Sequence, residues 1–322
     1  MAEPGAALAA AGGGWHDLAF MRRGALAVLL LLWSPLPAAP DTASRTVGVV
    51  TLLADQGQAF PGGFFVVRLR SRYGLGAVDV LLDGRRSPVY NSARGPWALV
   101  PIPLGTPPGP STLGFEIAAR TGRQRVPLDV TIAAKDYPAR NVAIPETRRY
   151  LASQPSATRN SRQLLALLRT ESPTALGRPP FGAPVSAPPV PDSFGATQTY
   201  AGAGPSVEYA TDATFGEYHR GLDYEVPAGT VVQAPAAGTV LFAGYMSVPG
   251  NVVVLDHGQG IVSVLAHLSR IEVREGDVLG AKAPVGASGD SGLSPGALLE
   301  WRVYVHGIAV DPRAVAGLKL EQ

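Results

Sequence analysis

Five histidines punctuate this chain: His16, His219, His257, His267 and His306. Four of them fall in its last third. His219-Arg220-Gly221-Leu222-Asp223 sets an imidazole four residues before a carboxylate. Zinc, a borderline ion, accepts nitrogen and oxygen ligands together. On an extended segment residues i and i+4 project to the same face, so both donors can point into one cleft. A His-x-x-x-Asp pair alone is a short pattern that unrelated surface residues also produce, so its surroundings decide its meaning. The chain has no cysteine, which removes disulfides, thiolate zinc sites and cysteine nucleophiles together.

The elements around the pair are strands. Glycine (38) and proline (30) are plentiful among 322 residues, which favours short strands and turns over long helices. The apolar fraction of 46% allows a sizeable core, and the length allows two domains. The expected fold is mainly β. Residues 45–137 alternate in bursts, such as Phe64–Leu69, Val78–Leu82 before the hairpin signal Asp83-Gly84, Trp97–Ile102, Leu113–Ile117 and Arg125–Ile132. They read as an immunoglobulin-like β-sandwich without histidine, an accessory module for spacing or binding. Residues 139–192 read as a linker holding a short helix or helix pair, with Leu164, Leu165 and Leu168 of Ser161–Thr170 on one face, followed by a Pro/Ala-rich stretch. Seven Arg against two Glu between Ala139 and Pro180 make this stretch basic, read as a solvated helix and tether rather than an anion-seeking surface.

From 194 to 315 the β pattern returns. Thr230–Ala234 and Thr239–Ala243 read as a hairpin closed by Pro235–Gly238. Asn251–Leu255 reads as a strand buried on both faces, Asp256–Gly260 as a turn, and Ile261–Leu268 as the next strand.

The net charge is only +2 and no Lys/Arg run forms a groove, so no nucleic-acid partner is expected. Met21-Arg22-Arg23, the apolar run Ala25–Trp33 and Ser34–Ala39 form the three parts of a signal peptide at 21–39. The expectation is that residues 1–20 are not translated, that cleavage falls near Ala38 or Ala39, and that the product is exported. An uncleaved signal would be the one expected membrane attachment.

His219–Tyr224 resembles the first metal motif of the lysostaphin-type (LytM-like) zinc endopeptidases. Val226–Thr230, Ala234–Val240, Asn251–Gly258, Ala266–Ser269, Glu275–Val278, Gly286–Gly292 and Gly307–Pro312 follow that family's order without a break. The resemblance implies a compact β domain at 194–315, one Zn²⁺ ion, peptidoglycan as substrate, and a place in the periplasm or cell envelope of a bacterium. It sets His219 and Asp223 on two zinc-ligand positions and His267 on a catalytic histidine, with Leu265 in place of the family's tyrosine. His257 is read as structural, and His306, where the family commonly has asparagine, is given no role. The third motif departs: Leu298 falls on one family histidine and Glu300 on the remaining zinc ligand.

Two readings follow. Glu300 is a replacement ligand, with a less positive metal and no second histidine; or the site is degenerate, and the cleft is kept to bind a wall peptide or to regulate another cell-wall hydrolase. A purely structural or adhesive module is the competing class. A lipoyl-type carrier is disfavoured, because Lys282 lacks the flanking pattern.

Overall fold

The computed structural model describes residues 41–92, 94–119, 122–201 and 218–318. His16, the start at Met21 and the signal at 21–39 lie outside the described residues.

The first module is a two-sheet sandwich. Its strands are β1 (Thr42–Val47), β2 (Val50–Asp55), β3 (Phe64–Ser71), β4 (Val78–Leu82), β5 (Arg85–Pro88), β6 (Tyr90–Ser92), β7 (Gly95–Pro101), β8 (Gly109–Ala119) and β9 (Gly122–Ile132). One sheet runs β1-β2-β3-β7-β6 and the other β5-β4-β8-β9, with all neighbours antiparallel. Asp83 and Gly84 both take positive φ, 48° and 77°, in the two-residue turn between β4 and β5. Leu52, Phe65, Val67, Val80, Leu113 and Phe115 fill the space between the sheets.

Two strands of this module are buried on both faces. Phe65, Val67, Ala98 and Val100 point into the sandwich. Their neighbours Phe64, Val66, Trp97 and Leu99 point the other way, into a second core with Leu222, Tyr224, Val310, Val315 and Leu318. The unbroken apolar run Phe64-Phe65-Val66-Val67 has this cause: β3 is a wall shared by two domains, not a one-sided surface strand. Tyr137 donates to the Pro61 carbonyl at 2.5 Å, and Lys135 pairs with Asp311 at 3.0 Å across the same seam.

The segment expected to be a linker is packed throughout. β10 (Ala139–Ala143) and β11 (Thr197–Ala201) pair in parallel. Between them lie α1 (Glu146–Ser153) and α2 (Pro155–Leu168). The helix is longer than its leucines suggest, because Pro155 occupies its first turn, where a missing N–H costs nothing. Leu164 and Leu168 are buried against Val252, Val254, Val262, Val264 and Tyr304. The Pro/Ala-rich stretch is also tied down. Phe181 and Val185 are core residues, Gly182 donates to Pro235 O at 2.8 Å, and Val190 donates to Asp223 O at 2.7 Å.

The remaining strands are β12 (Leu222–Tyr224), β13 (Val231–Gln233), β14 (Gly238–Met246), β15 (Gly250–Gly258), β16 (Ile261–Ile271), β17 (Val278–Leu279), β18 (Pro284–Ser288), β19 (Leu299–Val305) and β20 (Ile308–Val310), followed by α3 (Pro312–Ala316). The main path is β12-β19-β16-β15-β14-β17, with β18 joining β13 to β16 and β20 beside β19. β15 is buried on both faces as expected: Val253 and Leu255 face the core shared with the sandwich, while Val252 and Val254 face α2. Two local expectations are corrected. β13 and β14 do not form a hairpin; β13 pairs with β18, and β14 with β15 and β17. Ala234 and Ala236 sink into the core and the Pro235 carbonyl is taken by Gly182, so the chain crosses over instead of folding back. Asp256–Gly258 belongs to β15, and the turn is Gln259-Gly260, with φ of 54° and 74°.

His257 is structural. It is fully buried, its Nδ1 2.8 Å from Ala237 O, its Nε2 2.8 Å from Ser263 Oγ, and the Phe181 ring lies 4.6 Å away. Burial lowers its pKa from 6.5 to about 4. The unfolded chain therefore binds the extra proton between those values, and stability present above pH 6.5 is lost as pH falls towards 4. Urea unfolding is expected to show this loss in the wild type and a smaller one in His257→Gln; equal pH slopes would refute it. Leu164→Ala is expected to cost about 3 kcal/mol in the same assay, because it empties the contact of α2 with the sheet.

Candidate metal centre

Three strands bring the candidate residues together. Asp223 on β12 lies directly opposite Glu300 on β19, and Ala266 on β16 is the other cross-strand neighbour of Glu300. His219 stands just before β12, held by main-chain bonds to Gly195 and Ala196. His267 follows Ala266 at φ 62°, beside a register shift in β16. Such a bulge turns a side chain out of its strand's alternation, and here His267 lines the cleft. Leu298 and Glu300, two residues apart, also line it, as strand alternation predicts. The cleft measures about 120 Å³. Val142 and Ile144 from the segment after the sandwich form part of its wall.

The two histidines are oriented alike. His219 Nδ1 lies 2.8 Å from Ser193 O, and His267 Nδ1 lies 2.9 Å from Ser291 O. Each Nδ1–H donates to a carbonyl, so each Nε2 points inwards. His219 Nε2 is 3.4 Å from Asp223 Oδ1 and 3.0 Å from Glu300 Oε1; His267 Nε2 is 3.4 Å from Glu300 Oε2. Donor atoms of His219, Asp223 and Glu300 all lie within 4.8 Å of one another, which is the spacing of a group able to close on one cation. Gly221 is part of this packing, since a Cβ there would stand 2.7 Å from Glu300 Oε1.

Two arginines occupy the same ground, and sequence reasoning passed over both. Arg302 Nε donates to Glu300 Oε1 at 2.7 Å and Nη2 to Oε2 at 2.5 Å, a two-pronged pair buried on both sides. Arg140 on β10 reaches Asp223 Oδ2 at 3.6 Å. Arg302 was legible in principle, because it continues the Leu298, Glu300 alternation along one strand face. Arg140 carried no local signal, since its approach depends on the packed segment after the sandwich.

The electrostatics follow from two carboxylates set opposite each other in a dry site, an unfavourable arrangement unless countered. Burial alone would push Glu300 up, but Arg302, with His219 and His267, holds it well below the usual carboxylate range. Burial and the Glu300 charge raise Asp223 despite His219, His267 and Arg140. Burial works against a charged His219, but Asp223 and Glu300 outweigh it and raise its pKa to about 9.

His219 and Asp223 suit a zinc ion in type, orientation and spacing. Glu300 does not. Both of its oxygens accept from Arg302, Oε1 also accepts from His219, and His267 Nε2 stands 3.4 Å from Oε2. Turning His219 towards a metal would free one lone pair, but the guanidinium would remain on the same carboxylate. Two arginines already balance two carboxylates, so a dication would enter a site that needs no further positive charge.

Comparison with known proteins places this geometry. The peptidase family M23 profile matches residues 217–312. The chain is 38% identical over 98 residues to the DD-carboxypeptidase/endopeptidase Mpg of Neisseria meningitidis, a match covering 30% of this chain and 23% of that protein. It is 33% identical over 97 residues to the peptidoglycan DD-endopeptidase ShyC of Vibrio cholerae, covering 30% of this chain and 22% of the relative. The chain thus spans about a quarter of the length of these curated relatives. A solved structure described as a peptidase M23 from Pseudomonas aeruginosa superposes with a TM-score of 0.58 at 27% identity, over 81% of this chain and 96% of that one. That span reaches well beyond the matched domain, so the two chains share more of their architecture than the peptidase sheet. Residues 217–312 of this chain are a peptidase family M23 domain of the lysostaphin (LytM) type.

Proposed function

We propose that this chain is exported to the bacterial envelope and binds peptidoglycan peptides in the M23 cleft without a catalytic zinc, acting beside the hydrolases that cut the wall. The observation that carries this reading is the two-pronged contact of Arg302 with Glu300. It occupies the third ligand position with a neutral ion pair. Leu298 supplies no proton-transfer group where a second histidine would stand, and such a group contributes roughly 10²- to 10⁴-fold in rate. Peptidoglycan as the ligand is supported by the relatives' printed activities, and export by the sequence signal. Among the described residues no helix is long and apolar enough to cross a membrane.

The cleft keeps what a peptide binder needs. It is concave, partly walled by Val142, Ile144, Val248 and Leu293, and it presents the cationic side chains of Arg140 and Arg220. In the metal-free protein the protonated His219 imidazole presents its single Nε2–H between Asp223 and Glu300, 3.4 and 3.0 Å away. A second reading, a hydrolase with an altered site, draws on the convergence of His219, Asp223 and Glu300. Zinc bound there would supply Lewis-acid polarisation of the scissile carbonyl, and His267 would be the group placed to hold a proton.

Metal analysis of the purified chain separates the two. Substoichiometric zinc, unchanged in Glu300→Ala, is expected together with retention on sacculi and no cleavage in zymograms. Stoichiometric zinc that is lost in Glu300→Ala, with sacculus cleavage abolished in His219→Ala, would sink the non-catalytic reading.

Arg302→Met leaves a buried carboxylate without its counter-ion, which is expected to cost about 3 kcal/mol in chelator. Added zinc is expected to restore part of that stability, because Glu300 then becomes a free ligand. A variant as stable as the wild type in chelator would show that the ion pair is not the occupant of the site.

In the metal-free protein, ¹⁵N-histidine NMR is expected to show His219 titrating near pH 9, with a lower midpoint in Glu300→Gln, since a partner that favours the charged ring is removed. A midpoint at or below 6.5 would mean that the carboxylates do not hold the ring protonated.

A further inference from the structure

A second cavity lies on the seam between the sandwich and the peptidase domain, away from the cleft. It measures about 260 Å³ and draws on three parts of the chain: Arg85 and Arg86 at the start of β5, Arg169 at the end of α2, and His306-Gly307 in the turn between β19 and β20. We propose that this seam is a binding site for a phosphate group, carried by a soluble phosphate ester or by a lipid headgroup.

His306 is the first observation. It sits in a two-residue turn where both residues take positive φ, 50° for His306 and 78° for Gly307. Gly meets that demand freely, and Asn, Asp and His are the side chains that tolerate it best. The ring is buried there, its side chain only 5% exposed. Nδ1 faces Glu171 Oε1 at 3.3 Å without hydrogen-bond geometry, and Nε2 meets no partner. Tyr90 stacks on the ring, its centroid 6.3 Å away, and the buried Tyr90 hydroxyl is also without a partner. Two neighbouring buried side chains with unsatisfied polar atoms are unusual in a folded protein, and a bound ligand is one cause.

The arginines are the second observation. Arg86 is occupied by Asp79 at 2.9 Å and stands 3.8 Å from Glu171. Among the described residues Arg85 and Arg169 make no ion pair, although both line the cavity. Two unpaired guanidiniums and an imidazole N–H offer more donors than a single carboxylate can accept, while a phosphate presents oxygens enough for all of them. The cavity also leaves room beside the phosphate for the group that carries it. Because the donors come from both domains, a bound phosphate would fasten the seam as well as fill it.

Calorimetric titration of the full chain with inorganic phosphate, at constant ionic strength, tests the proposal. Saturable binding is expected. Arg169→Ala and Arg85→Ala are each expected to weaken it by about 10-fold, the typical loss of a charge-assisted hydrogen bond. Both side chains are exposed, so these variants keep the fold, which a thermal melt checks. His306→Asn, which suits the left-handed turn, is expected to weaken binding by about 5-fold. Sedimentation with phosphatidylcholine vesicles, with and without phosphatidic acid, names the source. Capture that needs phosphatidic acid and Arg169 points to a headgroup; phosphate binding without capture points to a soluble ester. Absence of saturable phosphate binding, or equal affinity in all three variants, overturns the site.

Discussion

The two-sided burial of β3 and β7 is the constraint on which the rest of the molecule rests. One face of this pair closes the sandwich and the other closes the core of the peptidase domain. The sandwich is therefore not a mobile accessory but a wall of the second domain. Once that wall is fixed, the segment between the domains has little freedom left. β10 must pass the mouth of the cleft, which sets Arg140 on Asp223. The turn of β5 must face the turn of β19 and β20, which brings arginines to His306. Both sites are thus products of one apolar contact made elsewhere.

Within the cleft, the decisive physics is the cost of two opposed carboxylates away from water. A metal is one way of meeting that cost, and arginine is another. This chain carries the second solution in its side chains. Zinc affinity depends on deprotonated, uncommitted donors. Glu300 is deprotonated but committed, and that distinction separates a ligand in type from a ligand in fact.

Much of this was visible in the residues, but unevenly. His219 and Asp223 could be read from type and spacing, because a strand puts i and i+4 on one face. The inward direction of Leu298 and Glu300 followed from the same periodicity, and applying it once more would have reached Arg302. The burial of β15 on both faces was legible because its apolar run is unbroken. The similar run in β3 reads as an ordinary burst, since nothing local says which body will cover the second face. β1, β5 and β6 have few inward apolar residues and leave no burst to find, whereas β2 turns Val50, Leu52 and Ala54 inwards in a short alternation. Arg140 and the cavity at His306 depend on pairings distant along the chain, which local patterns do not encode. The proline-rich stretch misled for a related reason: its composition suits a free tether, yet Phe181 and Val185 anchor it.

The shared wall also has a consequence in time. Phe64, Val66, Trp97 and Leu99 are synthesised before partners such as Val310, Val315 and Leu318, which lie far downstream. The first module can close its inner core long before its outer face has anything to lie against. Until β20 and α3 arrive, a sheet face carrying Phe64 and Trp97 stays wet, and wet apolar sheet is what chaperones hold and aggregates recruit. The order of the elements along the chain thus makes the arrival of β20 and α3, rather than the formation of the sandwich, the moment at which this face becomes safe.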